Sequence, residues 1–550
     1  MSNMSLNRRE FLRLGALGTL SLGMSGMSSC SMKQKPNIVL IMADDMGYSD
    51  LGCYGSEIQT PNLDKLAANG LRFTHFYNAA RCCPTRASLM TGLYPHQAGV
   101  GWMTVRDQGR EGYRGELNDK CVTIAQVLKQ DGYGTYMSGK WHLTSDARFE
   151  QPWKTWPRQR GFDHYFGTLN GSGSYFTPET LTRENDPVKP QSDFYYTDAI
   201  ADNAAEYIQK HNQERPNDPF FLYTAFTAPH WPLHAKPEDI AKYENLYLTG
   251  WDELRSDRYD RMKAMGIINE EWCLSEKPKD VQHWNQLDET KKKLMAKKMA
   301  VYAAQIDCMD QGIGRIINAL QETGQLENTL LLFLSDNGAS HELGIWGFDR
   351  KESGLRVLGS ESSFSSYGES WANASNTPFR YYKTFAHEGG ISAPLIVHWP
   401  AKVAANSELR HQPAHLIDIM ATCVDVSGAK YPKVFKGNDI IPPEGVSLVP
   451  AFNNKQLDRE ALYWEHKANR AIRVGNWKLV AHSLGHNDFG EWELYDMEND
   501  RTESKNLSAK YPDRVQEMAE MWRRWAKRTH VLPLDGRSWH ERLENPVLEF

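Results

Sequence analysis

Two stretches far apart in the chain, residues 36–47 and 328–338, are unbroken apolar runs that stop on adjacent oxygen-bearing residues. Ile38-Val39-Leu40-Ile41-Met42-Ala43 ends on Asp44 and Asp45, and Leu330-Leu331-Leu332-Phe333-Leu334 runs through Ser335 onto Asp336 and Asn337. A strand apolar on both faces belongs in a parallel sheet covered by helices. In open sheets of that kind the ligand crevice lies beyond the carboxyl ends of the strands. The pattern therefore predicts an α/β fold and places Asp44, Asp45, Asp336 and Asn337 at the edge of one site. A turn with a helix cap is the alternative reading for the two acids of the first run.

The chain between and after these runs fits the same sheet. Residues 71–77, 134–142, 219–228 and 393–399 read as further strands, and residues 60–70, 122–130 and 288–320 as helices. Lys140 and His142, two residues apart at a strand end, should share a face. Residues 243–286 are charged and poorly periodic, and read as an insertion covering part of a site. Residues 345–377, rich in Gly, Ser and aromatics, read as a long substrate loop. From about residue 455 the texture changes: alternating segments at 462–465, 471–474, 477–481 and 491–495 predict an antiparallel sheet, and 511–528 an amphipathic helix. The expected organisation is a 34–454 catalytic domain and a 455–550 subdomain that completes the pocket. Neither a repeat nor a low-complexity linker separates them.

A net charge of −6 with interspersed signs gives no basic stripe, which argues against nucleic acid as a partner. The eight cysteines are scattered over 550 residues with no C-x-x-C pair, so no disulfide framework is expected. Residues 1–30 read as an export signal: Arg8-Arg9 resembles a twin-arginine signal, and Met27-Ser28-Ser29-Cys30 a bacterial lipobox in which Cys30 would be acylated. The expected location is the bacterial periplasm or the outer-membrane or cell surface, with the membrane reached only through that lipid.

Residues 80–92 carry the chemistry. Pro84 fits the first position of a helix, where its missing N–H is not needed, which puts Cys82 at the helix mouth, facing unpaired N–H donors and the positive end of the dipole. Arg86, four residues on, can fork an anion's oxygens. The strand-end oxygens suit a hard cation, calcium before magnesium. A bare thiolate at Cys82 would be a poor partner for that ion, although a soft-metal site stays open on composition. Arg86, Lys140 and Lys383, with His142 and His230, would surround a small tetrahedral dianion.

Residues 82–92 resemble the C-x-P-[ST]-R-x-x-x-[ML]-T-G segment of type I sulfatases, with Cys82, Pro84 and Arg86 at the fixed positions and Thr85 where serine is commoner. The resemblance extends over residues 35–503. It implies an alkaline-phosphatase-like fold with a mixed, mostly parallel sheet and a small C-terminal antiparallel subdomain. It also implies oxidation of Cys82 to formylglycine (3-oxoalanine) by a sulfatase-maturating enzyme, and one calcium ion held by Asp44, Asp45, Asp336, Asn337 and the modified Cys82. By the same resemblance Arg86, Lys140 and Lys383 clamp sulfate, His142 assists breakdown of the sulfated hemiacetal, and His230 protonates the departing alcohol. Residues 107–118 and 371–380 resemble bacterial carbohydrate sulfatases, some acting on sulfated galactose. An exo-acting glycan sulfatase is therefore expected, with His466 and Trp371 as substrate contacts and His96 as a structural residue. The rivals are a phosphomonoesterase or phosphodiesterase of the same superfamily and a non-catalytic glycan-binding lipoprotein.

Overall fold

The computed structural model describes residues 35–145, 153–352 and 354–548. Residues 1–30, expected to be an export signal ending on Cys30, lie outside the described residues. Among the described residues no helix is long and apolar enough to cross a membrane.

The central sheet has eleven strands: β1 (Asn37–Ala43), β2 (Leu71–Tyr77), β3 (Gly134–Gly139), β4 (His164–Thr168), β5 (Leu181–Arg183), β6 (Asp186–Pro187), β7 (Phe220–Ala225), β8 (Thr329–Ser335), β9 (Ser392–His398), β10 (Glu408–Arg410) and β11 (Ala414–His415). Their order is β10-β2-β9-β8-β1-β7-β3-β4-β5-β6, with β11 also paired to β2. Strands β8, β1, β7, β3 and β4 are mutually parallel, whereas β9 runs antiparallel between β8 and β2. This is the mixed, mostly parallel sheet expected from the sequence.

Side chains alternate across a strand, so a doubly covered strand feeds two cores. Ile38, Leu40 and Met42 of β1 enter one, with helix α1 (Cys82–Thr91); Val39, Ile41 and Ala43 enter the other, with α2 (Tyr196–Glu214), α3 (Trp251–Ala264), α4 (Glu289–Glu322) and α5 (Gly368–Ser375). Every residue of β1 is buried. Each large apolar side chain so buried contributes about 1.5–3 kcal/mol.

A two-stranded ribbon, β12 (Val434–Phe435) and β13 (Asn438–Asp439), precedes a second sheet, the meander β14 (Leu462–His466), β15 (Asn469–Val474), β16 (Trp477–Ala481) and β17 (Glu493–Asp496). Helix α6 (Pro512–Arg528) follows, and Trp464, Ile472, Leu479, Trp522 and Trp525 join the core that holds α1. The short α7 (Trp539–Glu544) begins with a capping box on Ser538.

Residues 243–286 differ from expectation. They contain α3, whose Arg258 is fully buried and bonded to Asp50 at 2.6 Å and to Glu57 at 2.8 Å. A helix that buries arginine against acids has no apolar stripe to read.

Candidate active site

Strand register builds the first half of the site. Ala43 pairs with Ser335, so Asp44 and Asp336 leave adjacent strands side by side. The N–H of Asp336 donates to the carbonyl of Ala43 at 3.1 Å, and that of Asp44 to Ala228 O at 3.0 Å. Asp45 has a φ of 67°, a left-handed turn that Asp tolerates better than most residues, and its N–H donates to Asp336 Oδ1 at 3.1 Å. Asn337 Nδ2 donates to Asp45 Oδ1 at 2.7 Å. The four oxygen-bearing residues therefore converge, although nearly 300 residues separate the two pairs.

Helix α1 supplies the second half. Strand β2 runs to the same edge, and the helix starts at Cys82 with Arg81 as its extended N-cap, so Pro84 is its third residue and not, as expected, its first; its missing N–H is among the unpaired donors of the first turn all the same. All ten residues of α1 are buried. Arg86 donates to Lys140 O at 2.8 Å and to Asp44 Oδ2 and Asp336 Oδ2 at 3.3 Å each. Lys140 pairs with Asp44, and Lys383 with Asp45 Oδ1 at 2.7 Å. Three cations thus face three carboxylates in a fully buried cluster.

The electrostatics follow from this packing. Burial pushes the Asp44 carboxyl up, but Lys140, His230 and Arg86 outweigh it and hold it well below the usual range. Burial and then Asp44 push Asp336 well up. Burial would also lower Lys383, yet Asp45 and Glu342 raise it. The Cys82 thiol is held well below its usual value, first by the Cys83 thiol and then, against burial, by Lys140, His142 and Lys383.

Two histidines join the site, His142 beside Cys82 and His230 beside Asp44 and Asp45. His142, at a φ of 55°, follows Lys140 just past β3; burial lowers it to about 4, against the opposing pull of Cys82. It requires a glycine opposite: a Cβ on Gly171 would stand 2.3 Å from the His142 ring. His230 Nδ1 lies 2.6 Å from Trp231 O and its Nε2 lies 3.4 Å from Asp45 Oδ2. The carbonyl fixes Nδ1 as a donor, so Nε2 is the atom free to exchange a proton. Burial lowers His230 as well.

Above this floor opens a cavity of about 690 Å³. Cys82, His142 and His230 line it, together with Arg81, Asn170, Trp231, Glu342, Phe348, Arg350, Lys467, Trp539 and His540 among others. The structure thus brings the strand-end oxygens, Cys82, the three cations and both histidines together. It does not bring in two other expected contacts. Trp371, expected to touch substrate, is fully buried in α5, packs against Tyr247, Trp251 and Trp284, and donates its indole N–H to Met295 O at 2.8 Å. His466 is also fully buried and does not line the cavity; its neighbour Lys467 does. Among the described residues, those of 345–377 reach the cavity only through Phe348 and Arg350, and those of 243–286 not at all. His96, expected to be structural, is buried and pairs with Glu465 at 2.7 Å.

Two buried oxygens, Asp44 Oδ1 and Asn337 Oδ1, have no hydrogen-bond partner among the described residues. Buried acceptors of this kind need a partner. Orphaned oxygens beside crowded carboxylates fit a hard cation with oxygen ligands.

This is the arrangement of a hydrolase that handles a tetrahedral oxyanion at the carboxyl edge of a mostly parallel sheet. Residues 36–429 match the sequence model described as Sulfatase, and residues 379–529 the one described as N-sulphoglucosamine sulphohydrolase, C-terminal. The chain belongs to the sulfatase family and is a sulfuric ester hydrolase. It is 36% identical over 542 residues to an uncharacterized sulfatase of Schizosaccharomyces pombe, covering 91% of this chain and 95% of that one. It is 35% identical over 462 residues to an arylsulfatase of Klebsiella aerogenes, covering 80% and 97%. An N-acetylglucosamine-6-O-sulfatase of Bacteroides thetaiotaomicron is 26% identical, covering 91% and 89%. Among solved structures, Ps i-CgsB in complex with k-i-k-neocarrahexaose superposes with a TM-score of 0.66 at 26% identity, covering 93% and 98%.

Proposed function

We propose that the chain is an exported, formylglycine- and calcium-dependent sulfatase that removes sulfate from a terminal sugar of a glycan. The observation that carries this reading is Cys82 at the mouth of α1, facing His142 beside an oxygen-rich buried cluster with orphaned acceptors. Asp44, Asp45, Asp336 and Asn337 would hold the calcium ion. The Sγ of Cys82 stands where a formylglycine hydrate would place its oxygens. Together the ion and that hydrate supply Lewis-acid polarisation and an oxygen nucleophile, where a thiolate would be mismatched with a hard cation.

The remaining work falls to this chain's own side chains. Arg86 fixes Asp44 and Asp336, and Lys140 and Lys383 put two ammonium groups beside the floor, where charge grows on sulfuryl transfer. His142, neutral at pH 7, takes a proton from residue 82. As the ester S–O bond breaks, the departing alkoxide oxygen takes a proton from His230 Nε2, which carries one only in the imidazolium form that the Asp45 and Asp44 carboxylates favour, because the neutral ring keeps its proton on Nδ1; water supplies the oxygen that leaves with sulfate. The three floor cations balance the three carboxylates, so a bound divalent ion would supply positive charge for the monoanionic sulfate ester and for the sulfate dianion released from it.

A sugar substrate is supported by the cavity's mixture of Trp231, Phe348 and Trp539 with Glu342 and Asn170, since ring faces are apolar and ring edges polar. The named activities of the Bacteroides relative and of mammalian N-acetylgalactosamine-6-sulfatases at 26–27% identity point the same way. Sulfated galactose is our first candidate. The test uses protein matured with a sulfatase-modifying enzyme and compares an aryl sulfate, an aryl phosphate and position-defined sulfated galactose, glucosamine and N-acetylgalactosamine. Strong preference for one sulfation position is expected, because a site built to bond particular hydroxyls rejects analogues by large factors. Faster turnover of the phosphate would move the chain to phosphoryl transfer; equal rates on every sugar would end the glycan reading.

Metal addition has its own expected outcome. Chelated protein should melt several degrees lower than calcium-loaded protein, since a ligand at a hundred times its Kd adds about 2.7 kcal/mol. Asp336→Asn together with Asn337→Ala should remove most of that calcium-dependent shift. A zinc response larger than the calcium response would contradict the oxygen-ligand account.

A further inference from the structure

The hairpin that joins β14 to β15 turns in two residues, Lys467 and Ala468, because His466 and Asn469 are still paired across it. Lys467 has a φ of 52° and Ala468 of 62°. Two left-handed central residues make a type I′ turn, whose usual occupants are Asn and Gly. Lysine and alanine are poorly suited to that conformation, so the surroundings must impose it. They do: the buried carboxylate of Glu465 accepts the Ala468 N–H at 2.6 Å through Oε1, while His96 holds Oε2 at 2.7 Å and Asn469 Nδ2 donates to His466 O at 3.2 Å. A clamped, strained turn that carries a long cation into a cavity is a device for placing that cation.

Lys467 is half-buried on the cavity wall and has no hydrogen-bond or ion-pair partner among the described residues. Glu342, the carboxylate that raises it, is committed elsewhere: it takes Arg81 at 2.6 Å and the Trp231 indole N–H at 2.8 Å. Burial and then Arg81 lower the Lys467 ammonium to about 8. Arg350 also lines the cavity, exposed and without an acidic partner among the described residues. Its guanidinium lies 4.4 Å from the Phe348 ring centroid and 5.7 Å from that of Trp231. The floor cations and carboxylates already cancel, and Arg81 and Glu342 cancel on the wall. Among the described residues, two positive charges are left at the mouth without an acidic partner.

We propose that Lys467 and Arg350 form a second oxyanion subsite, which takes a sulfate or carboxylate group carried by the same glycan as the scissile sulfate. This rests on the sulfatase reading and narrows it to substrates with more than one negative group. Lysine supplies a point charge next to the leaving sugar, and arginine a planar fork already oriented by aromatic stacking.

The test measures kcat/KM for the matured enzyme on a monosulfated hexosamine, a disulfated hexosamine and a monosulfated hexosamine linked to a uronate. The wild type should prefer one doubly charged sugar by roughly tenfold or more, as for a charge-assisted hydrogen bond; which one wins identifies sulfate or carboxylate as the second group. Lys467→Met should cost the doubly charged sugar about tenfold more than the monosulfated one, and Lys467→Arg should recover part of that difference. Arg350→Met, on an exposed side chain that cannot disturb the core, should show the same bias independently of any folding defect in the hairpin. Equal losses on both classes in these variants, or a wild type indifferent to the second charge, would overturn the subsite while leaving the sulfatase intact. Absence of turnover on every sulfate ester, including the aryl sulfate, would overturn the sulfatase reading and the subsite with it.

Discussion

Cys82→Ala is expected to lower turnover of any sulfate ester by about four orders of magnitude or more, the scale seen when a nucleophile is removed from a unit that acts together. The fold should survive. The residue is the first of α1, its side chain is small, and the helix is held by the packing of all its other residues. Trimming one sulfur costs about 1 kcal/mol at most sites, so the melting temperature should fall by only a few degrees. Activity and stability must separate in this variant if Cys82 is chemical rather than structural. Peptide mass spectrometry of active wild-type protein should find the aldehyde or its hydrate at residue 82. Full activity from protein that carries only the thiol would sink the formylglycine proposal, and a Cys82→Ala protein that fails to fold would show that the thiol is a packing element.

Much of this site was legible in the sequence because its residues sit where regular structure ends. Apolar runs closing on Asp44-Asp45 and Asp336-Asn337 identify strand ends, and the register of a parallel sheet then brings them together without further information. Lys140 and His142 were readable for the same reason, though they share a site through a left-handed backbone at His142 and not through strand alternation. What escaped was set by packing. Trp371 looked like a sugar platform, but aromatic residues carry the same letter in a core and at a rim. Arg258 removed the apolar periodicity of α3 by going inward itself. Lys467 was hidden because its turn lacks the Asn-Gly signature and because the alternating segments at 462–465 and 471–474 leave a five-residue gap, where the structure pairs His466 with Asn469 and turns in two residues. His466, one position earlier, points into the core as strand alternation requires once the turn is placed.

The second large effect is expected away from the chemistry, at Lys478 on β16. Its ammonium is fully buried between Glu388 Oε1 at 2.9 Å and Glu503 Oε1 at 2.8 Å. Glu388 Oε2 also accepts from Arg501 at 2.8 Å and from the Tyr77 hydroxyl at 3.0 Å, and Arg501 Nη2 donates to Ser392 Oγ at 2.6 Å. The network ties the C-terminal sheet, which carries Lys467, to β2, β9 and the segment just after Lys383. Lys478→Met leaves the buried carboxylates of Glu388 and Glu503 without the ammonium they share, and breaking a buried pair in this way costs about 3–5 kcal/mol. The pH dependence separates this from a simple packing defect. Burial pushes the Glu388 carboxyl up, but Lys478 and Arg501 hold it well below its ordinary value. A depressed carboxylate stabilises the fold fully above its unfolded value, about 4.3, and loses that contribution as pH falls toward its folded value. In Lys478→Met the first of the cations that hold the Glu388 carboxyl down is gone, so Glu388 takes up a proton more readily, which relieves the unpaired charge. The stability gap between wild type and variant, read from denaturant midpoints, should therefore be largest near pH 7 and shrink as pH falls to about 4. A gap that stays constant over that range would mean that lost methylene packing, and not the buried charge, accounts for the defect.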